Sequence, residues 1–513
     1  MAAVHQNFSK MISAQLRNKA NEFLNSRKNA NNLADILQMF EAETENYTPL
    51  LLTIEVIFTE LLKRGDLVQH IEPLKPIDRS PEAEYTRWLN ECYESALSRV
   101  VECIRRGRTS SRLQALVTAC KLMQAEGKYP LEHTSGYFFP SVRLKNIFCV
   151  LLDSEISMLA PIARFQEFTE YRDVQQHGLK VLSTLACHKS PSQIYMQNYL
   201  ELFDKLLATE IPSEVRKTKD KIGEEDFKVL CANDGKPSFP YNTSVCRRYA
   251  NRCWGFSCQW PLCESPRSHR RALVLLVERL MPILNKPHLA TDMLCDSLDA
   301  GGPISMLALQ GMLELVRHHN IDYPDMYDRL YAMFEPEMFA TRYKKRLIHL
   351  ADIFLSSTHL PESLVAGFAK RLSRLALVAS PEDAMGLLQL VGNLLLRHTA
   401  LKRMICCEDT PAVMSNDPYV MEESSASRSR ALGSSLWEVR ALTRHWQPTL
   451  AAVARQVTDP DRRAPIDIDH AGEEMFDAEL KKRFKTIEVN FIRPQSMMLP
   501  SGERLGQYWE ITA

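Results

Sequence analysis

The stretch from His359 to Val457 constrains the fold more than any other part of the chain, because two dense helical phrases flank a polar spacer. The first phrase carries Leu364, Val365, Phe368, Leu372 and Leu375 at helical spacing, with Lys370, Arg371 and Arg374 gathered on the opposite side. One face is built to pack and the other to be solvated or to meet a partner. Pro361 suits a first helical turn. Ser380, Pro381 and Asp383 read as an N-cap, an N1 proline and the third position of a capping box opening a second helix, whose apolar side holds Leu387, Leu388, Val391, Leu394 and Leu395.

The second phrase, SSLWEVRALTRHWQP, follows a spacer from about Cys406 to Gly433 that is rich in Ser, Asp, Glu and Pro. Such a composition is expected to be mobile or irregular, because it offers too little apolar surface to fold alone. KRLSRLAL, the N-L-L-x-R-H ending of the first phrase, NDPYVMEE, SSLWE and the closing H-x-x-P occur in one order that resembles the CCAAT-binding-factor domain of the nucleolar complex protein 4 family. GGPISMLALQGMLELVRHHNIDYPDMYDRLY resembles the same family and extends the match from roughly Arg271 to Val457. The resemblance implies a non-catalytic helical scaffold of the nucleolus and nucleus. It further implies pairing with nucleolar protein 14, and work in pre-rRNA processing with other proteins of the small-subunit processome.

Across the rest of the chain, scarce glycine, 18 in 513 residues, disfavours nucleotide loops and barrels and favours helices on short connections. Residues 1–210 run as successive amphipathic helices, among them PLLLTIEVIFTELLKRG and EYTRWLNECYESALSRVVECIRRG. Both end in basic residues and Gly, which complement exposed carbonyls at a helix C-terminus. No fixed-period repeat is visible, so an all-α, HEAT/armadillo-like α-solenoid of helical hairpins is expected from helix succession alone. Hydrophobic density falls over 211–240, the expected polar linker between halves. Residues 241–460 then form the CCAAT-binding-factor-type helical domain. Residues 461–513 form a short irregular tail, with one amphipathic helix in EEMFDAELKKRFK and a docking segment after it.

Charge and motifs bound the chemistry. With 63 basic and 63 acidic residues, the whole chain has no electrostatic bias toward nucleic acid, so any contact with pre-rRNA must be local or indirect. The longest apolar runs, IFCVLL and ALVLLV, fall far short of the roughly 20 residues that span a bilayer, so a soluble, intracellular chain without a membrane contact is expected. The thirteen cysteines read as reduced thiols. Cys246, Cys253, Cys258 and Cys263 lack the knuckle spacing of a zinc site. His318, His319, His398 and His445 read as helix-end or positioning residues, and Gly301-Gly302-Pro303 as the start of a helix. No phosphate loop, dinucleotide, nucleophile-elbow or zincin motif is present. Neither a catalytic, cofactor nor metal site is therefore assigned, and no small-molecule substrate is implied.

The residues left for function are surface candidates. Lys370, Arg371 and Arg374, joined by Arg397 at the end of the first phrase, are the basic candidates for a partner interface. Trp437 and Trp446 are large anchors for packing or for a helix-groove interface. Lys344, Lys345 and Arg346 form a second basic group, and KKRFK at 481–485 is a possible aid to nuclear import. Two other roles fit a helical scaffold: a large-subunit nucleolar complex, and a transcription-associated factor, although no DNA-reading motif is present.

Overall fold

The structure is a computed structural model that describes residues 2–42, 47–68, 80–132, 136–186, 191–211, 228–232, 239–262, 265–319, 323, 325–406, 417–459, 465, 477, 480 and 481. These residues form helices and turns, with no strand among them. The chain divides into two compact units. One comprises Met1–Ala300 with Gln310–Asn320; the other comprises Gly301–Leu309 with Ile321–Ala513.

In the first unit the helices are α1 (Ala2–Asn25), α2 (Asn31–Ala42), α3 (Thr48–Arg64), α4 (Pro81–Arg106), α5 (Thr109–Lys128) and α6 (Ser141–Leu151). They continue as α7 (Leu159–Phe165), α8 (Arg172–Leu185), α9 (Gln193–Leu206), α10 (Thr243–Ser257), α11 (Pro266–Leu275) and α12 (Thr291–Asp299). From α1 to α11 every odd helix packs on the next odd one and every even helix on the next even one. That double row is the expected solenoid of helical hairpins. Each hairpin buries one apolar stripe between the rows, as with Ile54, Ile57 and Phe58 of α3, and Tyr93 and Val100 of α4, all fully buried. Local signals set the ends. Ser80 accepts from the Ala83 N–H at 3.2 Å with Pro81 behind it, and Gly65, at φ 77°, closes α3 in the left-handed conformation.

The boundary expected over 211–240 does not fall there. α10 packs on α8 and α11 on α9, so the rows continue past the polar segment, and Arg271 of α11 pairs with Glu201 and Asp204 of α9 at 2.8 and 2.7 Å. Within the segment, Leu230 and Cys231 are buried and donate their N–H groups to Asp173 at 3.1 and 3.0 Å. A drop in hydrophobic density marks a long connection, whereas a domain ends where packing ends, and the division falls near Ala300. Residues 212–227 and 233–238 lie outside the described residues.

After α13 (Gly302–His319), which starts with Gly301 and Gly302 both at positive φ, come α14 (Met326–Ala332), α15 (Lys344–Phe354), α16 (Glu362–Ala376), α17 (Pro381–Arg397), α18 (Trp437–Leu442) and α19 (Pro448–Val457). α16 and α17 form a hairpin, α15, α17 and α19 make one row, and α18 packs on α16. Phe368 and Leu372 are fully buried; Phe368 meets Tyr331 and Phe334 edge-on at 5.2 and 6.2 Å. The cap on α17 forms as read, the Asp383 N–H reaching Ser380 Oγ at 3.3 Å, while the Asp383 carboxylate pairs with Lys344 at 2.8 Å.

The described half of the spacer is irregular, as read, and it is packed against a neighbouring helix. Asp417–Ser435 lies against α16 through two short 3₁₀ turns, Ala426–Arg428 and Ala431–Gly433, with Tyr419, Ala426, Ser429 and Ala431 buried. Gly367 permits this, because a Cβ there would collide with the Ala426 carbonyl. The spacer folds because α16 supplies the apolar surface that it lacks. Residues 407–416 lie outside the described residues, as do Cys263 and nearly all of the tail with its helix and basic run.

A candidate partner interface

Lys370, Arg371 and Arg374 fall on successive turns of α16 and were expected on a solvated face, but Lys370 is fully buried, Arg371 is 7% exposed and Arg374 is half-buried. The segments that cover α16 bring their acids with them. Lys370 Nζ lies 2.7 Å from Glu438 Oε1, 2.9 Å from Asp417 Oδ2 and 2.7 Å from the Ser435 carbonyl. Arg374 donates to Glu438 Oε1 at 2.9 Å and to Asp417 Oδ2 at 2.8 Å. Two cations thus share two carboxylates, one from the spacer and one from the second phrase, and the three segments are tied at one point.

Aromatic rings enclose this cluster. Lys370 Nζ and the Arg374 guanidinium lie 5.4 and 5.6 Å from the Trp437 ring centroid, and 6.0 and 5.4 Å from that of Tyr419. The indole N–H of Trp437 donates to Asp417 at 3.0 Å, and Tyr419 and Tyr331 share a 2.9 Å hydroxyl contact. Arg371 stacks over Tyr331 at 4.5 Å and donates to the Phe334 and Met421 carbonyls at 2.7 and 3.2 Å. Partial burial alone would raise the Asp417 carboxyl, but bonds from Ser434, Lys370, Trp437 and the Tyr419 N–H hold it well below the usual carboxylate range. Burial likewise tends to lower Arg374, yet its bonds to Asp417 and Glu438 raise it. Asp417 and Arg374 are thus held in their ionised forms, and the cluster serves as a staple.

Arg397 is also structural, gripping Asp352 with both guanidinium nitrogens at 2.7 and 3.2 Å. Lys344 is taken up by Asp383. His318 pairs with Glu314 at 3.2 Å, His398 is buried, and His445 Nδ1 accepts the Gln447 N–H at 3.1 Å. Cys246 and Cys253 are buried free thiols pushed up by burial to about 11 and 12. The two tryptophans remain for a partner: Trp437 is 46% exposed beside the staple, and Trp446, past the end of α18, is 76% exposed with His445 against it. Sequence reasoning missed Asp417, Tyr419 and Glu438. Their signal was a carboxylate in each flanking motif, NDPYVMEE and SSLWE, facing a run of bases.

A surface cleft in the first unit, of about 560 Å³, is lined by Arg105, Cys149, Asp153, Ser192 and Tyr195 among others. Its carboxylate is already engaged. Burial alone would raise Asp153, but the N–H groups of Glu155 and Ile156 and the Arg105 guanidinium at 2.9 Å lower it, while burial raises the Cys149 thiol. No member of the set is poised as a base or nucleophile. Among the described residues no cluster of His, Cys, Asp and Glu has a metal-binding arrangement, and no helix is long and apolar enough to cross a membrane.

Two family models match the chain: the nucleolar complex protein 4-like TPR-repeat family over residues 7–191 and the CBF/Mak21 family over residues 305–454. Nucleolar complex protein 4 homolog A of Xenopus laevis is 33% identical over 91% of this chain and 90% of its own length. The Homo sapiens homolog is 30% identical over 95% and 96%, and nucleolar complex protein 4 of Saccharomyces cerevisiae 25% identical over 88% and 87%.

Proposed function

The chain belongs to the nucleolar complex protein 4 family, and from that premise we propose that it is a non-catalytic nucleolar scaffold of ribosome assembly. Its relatives are named as nucleolar complex proteins, which supports the location and the ribosomal role. In the finer reading it serves the small subunit, acting in pre-rRNA processing within the small-subunit processome and pairing with nucleolar protein 14. The staple carries this reading: it takes up Lys370 and Arg374 of α16 and ties the second phrase to that helix, leaving the 76% exposed Trp446 of the same phrase as a partner anchor.

Affinity capture of the full chain from nucleolar extract tests it. Nucleolar protein 14 and small-subunit precursors should be recovered, and Trp446→Ala should weaken the pairing at least tenfold with the melting temperature unchanged. Recovery of large-subunit precursors alone would replace this reading by that of the large-subunit scaffold. Unchanged pairing in Trp446→Ala would remove the tryptophan from the interface.

A further inference from the structure

The even row of the first unit holds a different set of bases. α6, α8 and α10 contain one acidic residue between them, Asp173, and it is fully buried and bonded to Tyr137, Leu230 and Cys231. Lys145 of α6, Lys180 of α8 and Arg248 and Arg252 of α10 are exposed. None of the four has a carboxylate partner among the described residues.

Contacts between the helices put these cations at one level. The Ser141 hydroxyl meets His177 Nδ1 at 3.2 Å and the Phe148 ring lies beside Gly178, so Lys145, between them on α6, stands level with the middle of α8. Cys246 lies 3.9 Å from Gln176, and Cys253 bonds the Leu179 carbonyl at 3.7 Å, so Arg248 and Arg252 lie over the stretch of α8 from Gln176 to Leu179, next to Lys180. Stacked helices lie roughly 8–10 Å apart, so the charges cross three helices as a row. Asn146, Thr184 and Ser244 are exposed on the same three helices, and Gln176 is half-buried. Burial and the Lys180 charge push His177 down to about 4, so it is neutral near pH 7 and adds no charge.

We propose that this row binds the phosphate backbone of single-stranded RNA. An acidic helix would dock its apolar stripe into an apolar groove, whereas the exposed residues of these three helices are mostly polar or charged, with Val142 of α6 an exposed apolar exception. Arg248 lies 5.2 Å over the Tyr249 ring and Arg252 5.8 Å over that of Phe256, with both rings half-buried. Cations interleaved with flat aromatic and guanidinium surfaces suit a strand that presents phosphates and unstacked bases together. The inference stands on this surface alone and does not depend on the scaffold reading.

The test uses the full chain and a fluorescein-labelled oligouridylate. Four phosphate contacts on a single strand correspond to a salt slope of about −2.8, or about a 50-fold loss of affinity between 50 and 200 mM salt. Replacing Lys145, Lys180, Arg248 and Arg252 together by Glu should weaken binding more than tenfold and flatten that slope. The same four positions as Gln provide a milder variant, with circular dichroism and melting temperature as checks of folding. A control with equal charge change, Arg428, Arg430, Arg440 and Arg444 to Glu, should bind RNA as before. Equal loss in the control, full affinity in the folded Gln variant, or binding of polyglutamate in preference to RNA would each overturn the proposal. Capture of nucleolar protein 14 by the Gln variant reports separately on the scaffold reading.

Discussion

Two groups of basic residues on amphipathic helices have opposite fates in this protein. On α16, Lys370 and Arg374 turn inward because Asp417 and Glu438 arrive from segments 43 to 68 residues away, while Arg371 is taken up by the Phe334 and Met421 carbonyls and the Tyr331 ring. On α6, α8 and α10, Lys145, Lys180, Arg248 and Arg252 stay outside, and no carboxylate among the described residues pairs with them. A base on a helix surface does not declare its own environment. What decides it is whether another segment covers that face with matching charge and apolar area, since a buried ion must be paired while an exposed one is solvated.

The contrast can be broken at its most sensitive point. Glu438→Ala leaves the fully buried Lys370 with one carboxylate, and should destabilise the fold by about 3–5 kcal/mol in urea denaturation. A loss below about 1 kcal/mol would mean that Lys370 escapes to water. The apolar side of the same helix gives a comparable scale: Phe368→Ala should cost about 3–5 kcal/mol and Leu372→Ala about 2–5 kcal/mol, also by denaturant unfolding.

A smaller effect separates the staple by pH. Because the folded-state Asp417 lies below the unfolded value of about 3.9, its stabilisation is present above that pH and fades as pH falls through the folded value. The stability difference between the native chain and Asp417→Asn should therefore hold from pH 7 to about 5 and shrink below about 4. A constant difference down to pH 2 would assign the staple to geometry without charge. The smallest effect belongs to the other group. Lys145→Gln and Lys180→Gln should each change stability by less than about 0.5 kcal/mol, because both positions are exposed. A larger loss would reveal an ion pair and weaken the contrast.

Much of this was legible in the residues. The stripe of Phe368 and Leu372, the Ser380 cap and the order of the family motifs were local patterns, and they fix helix type and core face through spacing alone. The boundary at 211–240 was misread, and the packing of the spacer was missed, for one shared reason. Low hydrophobicity says that a segment cannot fold alone, and says nothing about surface offered by a helix elsewhere, as α8 offers to Leu230 and α16 to Ala426. The orientation of Lys370 was hidden in the same way, since its acid partners are distant in sequence.

The sequence by itself determined the all-helical class, the succession of hairpins and the family, because helical periodicity, caps and ordered motifs are local properties that survive without a partner. Only the tertiary structure decided which charges are spent inside and which are left for another molecule. Burial is a property of pairs of surfaces, and the second surface in each pair comes from a part of the chain that local sequence does not show.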